Sequence, residues 1–387
     1  MTITQVGPFP PPYGGVSMHI QRLRQRLQQV GCEVPVWCDP SSKTLGPGIY
    51  RLPSRRRPAC YVGWLLDGWR QLPGEITHFH ELRTYSFWIW CTVQRGQRVL
   101  ITVHNQFMLE QQNFFAYLSR WAVRRSGSHP NCRFIAVSSQ IRSQLNKLGV
   151  SSTKISVIPA YLPPEDPPHV ENLSPRIREF GALHRPLLSV YGFRCAKDPV
   201  WGDLYGFDLS LQALSVVRQR HPQAGLVALT PGRHSQPYFQ ELRQQARQFG
   251  LAEHVLWETD SMPDARSLWK FSDVYLRPTA TDGDAVAVRE AMSVGTPVVA
   301  SDVCDRPKGC IVYPAKNLAA FAAAIETALN SGHFSGSSDC ERGFENIMDV
   351  YGELWPMLKG HKGPPGKSGQ PCADNPLAEK GGSGRGL

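Results

Sequence analysis

Residues 274–302 read VYLRPTATDGDAVAVREAMSVGTPVVASD, and their rhythm decides the fold. A short apolar run, Val274 to Leu276, stops at Pro278 and gives way to a small polar loop through Asp284. Residues 285–294 are then apolar on nearly every side, interrupted only by Arg289, Glu290 and Ser293. Gly295-Thr296-Pro297 ends that segment, and Val298-Val299-Ala300 reads as a buried strand. Strand, loop, helix, glycine stop and strand make the βαβ unit of a doubly wound parallel sheet.

Within this unit Glu290 needs a reason. A helix apolar all round is a buried helix, and an unpaired carboxylate inside one is costly. Glu290 is therefore expected to face a cleft where a ligand or an arginine meets it. Asp282 falls in the loop at the carboxyl end of the preceding strand, the edge at which open α/β sheets bind ligands. The helix that follows offers free N–H groups and a positive dipole end to an anion. On spacing alone a second reading stays open, in which Asp284 caps the helix and Glu290 is salt-bridged to a neighbouring arginine.

The stretch resembles the donor-binding element of the family-four retaining nucleotide-sugar glycosyltransferases, the group 1 glycosyl transferases. That family carries two acidic residues eight apart, then Ala, then a G-x-P-V-V/I-A-S/T-D run. This chain has Asp282, Glu290, Ala291 and Gly295 through Asp302, with Asp in place of the usual first Glu. Three further blocks match. Gly7 through Val16 fits the family's G-P-x-P-P-x-x-G-G-V. Thr102-Val103-His104-Asn105 fits T-V-H-[DN], and Lys154 through Pro159 fits K-I-x-V-I-P. The similarity runs from residue 1 to about 358.

What the resemblance implies is an α/β protein of GT-B fold, two doubly wound Rossmann-like domains facing across a cleft. The second domain would hold a nucleotide diphosphate sugar and the first would present a saccharide or lipid-linked acceptor. Glu290 would bind the ribose hydroxyls and Asp282 those of the sugar, while loop amides at Gly283, Asp284 and Ala285 touch the diphosphate. His104 would contact the sugar, and Gly14 and Gly15 would lie against the donor phosphates or the acceptor. The family places an Arg and a Lys on the diphosphate. Arg194 matches the Arg, but Tyr205 stands where the Lys belongs, which leaves Lys197 as the candidate substitute. The family retains anomeric configuration, and neither metal nor cofactor is implied. Two other classes stay in view: a degenerate member serving as a binding or scaffold protein, prompted by the missing Lys, and a GT-B sugar-nucleotide epimerase.

Length and composition bound these readings. A chain of 387 residues suggests two domains. The net charge of +10 is uneven, with 19 Lys+Arg against 7 Asp+Glu in residues 1–165. That half lacks RNP, zinc-finger or helix-turn-helix signals, which argues against nucleic acid. Ten cysteines without C-x-x-C pairs or Cys/His metal spacing suggest free thiols in a reducing, cytoplasmic setting. No charged and apolar leader opens the chain, and no apolar run approaches the roughly 20 residues that span a bilayer. Arg55-Arg56-Arg57 beside Trp64 and Trp69 has two readings, contact with an anionic membrane surface or a solvated loop next to core aromatics. The expected organisation is a first domain over 1–165, a proline-rich linker over 166–182 and a second domain over 183–338. A helix over 339–358 returns to the first domain, and a disordered tail follows over 359–387. Residues 40–58 read as a loop, so Ile76 to Phe79 is expected as the third strand.

Overall fold

The first half of the chain alternates short, doubly buried apolar runs with amphipathic helices, and those runs pair in parallel. In the computed structural model, residues 1–11, 13–38, 46–52, 74–80, 82, 98–105, 114–164, 166–232, 234–284, 286–332 and 342–355 are described. Strands β1 (Ile3–Val6), β2 (Val36–Cys38), β3 (Ile49–Arg51), β4 (Ile76–Phe79), β5 (Arg98–Val103), β6 (Cys132–Ala136) and β7 (Ile155–Val157) form one sheet in the order β3-β2-β1-β4-β5-β6-β7. Every pairing in it is parallel. The chain reverses its winding between β1 and β4, so the carboxyl ends of those strands border the crevice where such sheets bind ligands. Ile76–Phe79 is the fourth strand rather than the third. The segment expected as a 40–58 loop contains β3, whose Tyr50 stacks on Trp37 of β2 with ring centroids 5.0 Å apart.

The second half repeats the plan. Strands β8 (Leu187–Tyr191), β11 (Gly225–Leu229), β12 (Val255–Glu258), β13 (Val274–Arg277), β14 (Val298–Ser301) and β15 (Ile311–Tyr313) make a parallel sheet in the order β12-β11-β8-β13-β14-β15. A small antiparallel pair, β9 (Lys197–Asp198) and β10 (Gly202–Asp203), lies between β8 and the next helix. The reversal falls between β8 and β13, which places Tyr191 and Arg277 at the crevice. Strand β13 runs one residue past the apolar run read from sequence, and Arg277 is buried at its end.

Part of the 166–182 segment is no linker. Pro175–Leu183 is a helix whose amide at Ile177 is capped by Ser174. Leu173 and Ile177 pack with Leu187, Leu268 and Trp269 in the second domain's core. The terminal helix Gly343–Leu354 crosses back to the first sheet, burying Ile347, Val350 and Tyr351 against Ile3, Leu23 and Leu100. Among the described residues no helix is long and apolar enough to cross a membrane. Arg55, Arg56, Arg57, Trp64, Trp69, Ala285 and the 359–387 tail lie outside the described residues.

Candidate active site between the two sheets

The two sheets turn their carboxyl ends toward one another, and the facing elements touch. Gly15 begins the helix Gly15–Gln29, and a side chain at that position would rest on Val286 of the second domain. Gly283 comes so close to the carbonyl of His104 that a Cβ there would collide with it, so only glycine fits. Asp284 accepts a hydrogen bond from the Ala160 amide at 2.9 Å and another from Arg289 Nε at 2.8 Å. It therefore joins the domains instead of standing alone as a helix cap. Tyr191 Oη donates to the Tyr13 carbonyl at 3.1 Å.

Glu290 meets an arginine. Arg22, on the Gly15–Gln29 helix, places Nη2 2.6 Å from Glu290 Oε1, and both side chains are about nine-tenths buried. Arg22 also donates to the Leu162 carbonyl at 3.3 Å, and its guanidinium lies 5.7 Å from the Tyr161 ring. Of the two partners left open by the sequence, ligand or arginine, the structure supplies the arginine from the opposite domain.

The resemblance assigns Asp282 to sugar hydroxyls, yet here its oxygens hold cations. Arg277 grips it with both Nε (2.9 Å) and Nη2 (3.1 Å), and Arg306 adds Nη1 at 3.1 Å. Thr279 Oγ1 and the Gly283 amide also donate to it. Burial alone would raise its pKa, but the two guanidinium groups outweigh burial and hold the carboxyl well below the usual range. Two cations around one anion leave a net positive charge at the end of β13, beside the first turn of the helix Val286–Ser293. That is an electrostatic setting for a diphosphate.

Arg277 lies beside the position where the family has its Lys. Tyr205, in the Lys position, lines the cleft, and the Arg277 guanidinium sits 5.6 Å from its ring centroid. Just after it, Gly206 has φ 69° and a Cβ there would strike the Pro278 carbonyl, which keeps this turn tight against the end of β13. Lys197, the candidate substitute, lies elsewhere in this structure. Its ammonium binds both Glu241 oxygens at 2.6 and 2.9 Å and is absent from the residues lining the cleft. Arg194 pairs with Asp198 at 3.2 Å, with its side chain part-exposed.

The cleft has two connected walls. One part, about 760 Å³ with its open mouth included, is lined by Tyr13, Gly14, Gly15, Arg22, Tyr191, Arg277 and Glu290 among others. The other part brings Gly15, His104, Asn105, Tyr205, Arg277, Asp282, Gly283 and Asp284 together. Of the expected site residues, the structure thus gathers Gly14, Gly15, His104, Asp282, Gly283, Asp284 and Glu290 at one cleft.

Behind His104 lies a buried histidine cluster that local sequence spacing did not reveal. His78 and His80 alternate at the end of β4, while Thr102 and His104 do the same on neighbouring β5. His19 projects from the Gly15–Gln29 helix. His80 Nδ1 lies 3.1 Å from His104 Nε2, and His80 Nε2 lies 2.6 Å from Gln5 Oε1. The Gln5 amide donates to Tyr351 Oη at 3.2 Å, and Tyr351 bonds His78 Nδ1 at 2.7 Å. Burial, followed by the neighbouring imidazoles, holds His78, His80 and His104 well below their ordinary pKa. Burial likewise lowers His19 to about 4. All four rings are neutral at physiological pH.

Comparison with known proteins agrees with this architecture. The family described as Glycosyltransferase Family 4 matches residues 13–165, and Glycosyl transferases group 1 matches residues 200–331. A phosphatidyl-myo-inositol mannosyltransferase from Mycobacterium leprae is 25% identical over 315 residues, 75% of each chain. The fold is that of WaaG, a glycosyltransferase involved in lipopolysaccharide biosynthesis. The two share 14% identity and a TM-score of 0.62, over 93% of this chain and 99% of that one. Anabaena HepE in complex with UDP-glucose superposes with a TM-score of 0.66 and 14% identity, over 93% and 99% of the two chains. Two parallel α/β domains facing across a cleft make this a GT-B fold. The chain belongs to the family-four, group 1 glycosyltransferases.

Proposed function

We infer that the protein is a retaining glycosyltransferase that moves a hexose-type sugar from a nucleotide diphosphate sugar to a saccharide or lipid-linked acceptor. The observation that carries this reading is the convergence of Arg277, Glu290 and His104 on the cleft where both sheets present their carboxyl ends. Arg277, on the cleft wall, neutralises the diphosphate as its charge grows in the transition state, with Arg306 adding positive charge from behind Asp282. Preorganised cations at such a point supply much of the catalysis. Asp282 positions these two arginines. Glu290 exchanges its Arg22 partner for the ribose hydroxyls, and His104 faces the sugar. The bond from the anomeric carbon to phosphate oxygen breaks while one to the acceptor oxygen forms on the same face. The departing phosphate oxygen takes the acceptor's proton. No carboxylate at the cleft is unencumbered by arginine among the described residues, which supports a route without a protein nucleophile.

The UDP-glucose bound to HepE and the lipid acceptor named for the mycobacterial relative support this choice of donor and acceptor class. One observation favours a second reading. Glu290 and Asp282 are both satisfied by arginines in the closed form, as in a binding protein that has lost transfer. A thermal-shift panel of nucleotide sugars, then transfer with NMR of the product anomer, separates the readings. Stabilisation by one donor and a product of unchanged configuration is expected. Nucleotide binding with neither transfer nor donor hydrolysis would favour the second reading, and an inverted anomer refutes the mechanism.

A further inference from the structure

His19, His80 and His104 come from three separate elements, and one ring nitrogen of each lies within 4.8 Å of the other two. The remaining nitrogens of His19 and His80 are already committed. His19 Nδ1 lies 2.6 Å from the Ala160 carbonyl, which only a donor satisfies, so Nε2 carries the lone pair. With the Gln5 amide donating to Tyr351, its oxygen accepts from His80 Nε2, and His80 Nδ1 is a lone pair as well. His104 Nε2–H can donate to only one of these two acceptors. It lies against His80, and His19 Nε2 is left buried with no partner among the described residues. Hydrogen bonds alone therefore leave the cluster one donor short.

We propose that His19 Nε2, His80 Nδ1 and His104 Nε2 form a binding site for a divalent ion of the imidazole-preferring class, Zn²⁺ foremost, with its fourth position opening on the cleft. A cation satisfies all three lone pairs at once. Zn–N bonds near 2.0–2.1 Å in a tetrahedron put ligand nitrogens about 3.3 Å apart. The His80–His104 separation of 3.1 Å is already close to that, and drawing in His19 needs a movement of about 1.5 Å at most. The outer contacts are also in place. A ligating histidine usually donates its other N–H to a carbonyl or carboxylate. Here the Ala160 carbonyl and the Gln5 amide oxygen play that part for His19 and His80. On binding, the His104 proton moves from Nε2 to Nδ1, with no net proton released. His104 and Ala160 line the cleft, so a water or a hydroxyl oxygen reaches the fourth position. Imidazole nitrogen selects Zn²⁺, Co²⁺, Ni²⁺ and Cu²⁺ over Mg²⁺ and Ca²⁺. Because a bound ion engages His104, it also withdraws that ring from the sugar contact assigned above. This consequence alone rests on the proposed transfer reaction.

The test uses tag-free, chelator-stripped full-length protein titrated with Co²⁺ and followed by visible absorption. The strong bands of four-coordinate cobalt should saturate at one ion per chain, be bleached by one equivalent of Zn²⁺, and fail to appear in His104→Ala and His19→Gln. Circular dichroism of both variants checks that they fold, and His104, on the cleft wall, is the less disruptive change. Wild-type protein without these bands overturns the site, as do bands unchanged in folded variants. Zn²⁺ inhibition of transfer is read separately. If binding holds and inhibition fails, the site stands and the placement of His104 on the sugar falls.

Discussion

Replacing Arg22 with Met tests whether the two domains are latched through the donor pocket. The Arg22–Glu290 pair is 2.6 Å long and nearly out of water, with side chains 6% and 10% exposed. Removing one partner of a buried pair leaves an uncompensated charge, at a cost of about 3–5 kcal/mol. Arg22→Met should lose that much stability in urea unfolding, because the Glu290 carboxylate stays behind without its cation. Arg22→Met with Glu290→Gln removes both charges and should recover most of the loss, a coupling of about 2–3 kcal/mol. Nucleotide binding should move in opposite directions in the single variants. With UDP as the probe in calorimetry, Glu290→Gln weakens binding about tenfold, the worth of one charge-assisted hydrogen bond. Arg22→Met strengthens it, since the competitor for Glu290 is gone. A coupling below about 0.5 kcal/mol, or equal weakening of UDP by both changes, refutes the latch.

Three further outcomes follow from the geometry. Arg277→Met should lower kcat about 10²–10³-fold with little change in KM, with Arg277→Lys recovering part of it; an unaltered kcat would show that the cation at the end of β13 is not used. Gly283→Ala forces a methyl group into the His104 carbonyl, so small-angle scattering should report a more open molecule while both domain cores stay intact. An unchanged scattering curve contradicts the close approach. Burial and the neighbouring Asp203 push Asp208 up to about 6. The folded chain thus holds this proton more tightly than the unfolded chain, and stability falls as pH rises from about 4 to 6. Asp208→Asn should flatten that stretch of the stability profile, and the same slope in the variant would reject the assignment.

Much of this was legible in the chain because it is local. Alternation of apolar runs with amphipathic helices specifies parallel sheets, and the apolar surroundings of Glu290 foretold its burial. Where local pattern misled, neighbours were responsible. Ile49–Arg51 is a strand only because Val36–Cys38 offers it an edge. Pro175–Leu183 is a packed helix because Leu187 and Trp269 cover its apolar face, although the prolines upstream suggested a linker. Arg277 escaped notice because a charged residue at a strand end looks like a boundary until Asp282 is seen to neutralise it.

By itself the sequence determined the two-domain α/β plan, the family, and a glycine- and acid-bearing loop at the carboxyl end of a strand. Those features depend on residues close together in the chain, where helix and strand periods dictate which side faces inward. Partner choice was left to the tertiary structure. Arg22 reaches Glu290 across 268 positions, Arg277 comes to lie beside Tyr205, and three histidines converge because β4 and β5 are neighbours under the Gly15–Gln29 helix. Charges and lone pairs in a cleft are matched by distance in space, and only the closing of the two sheets on one another sets those distances.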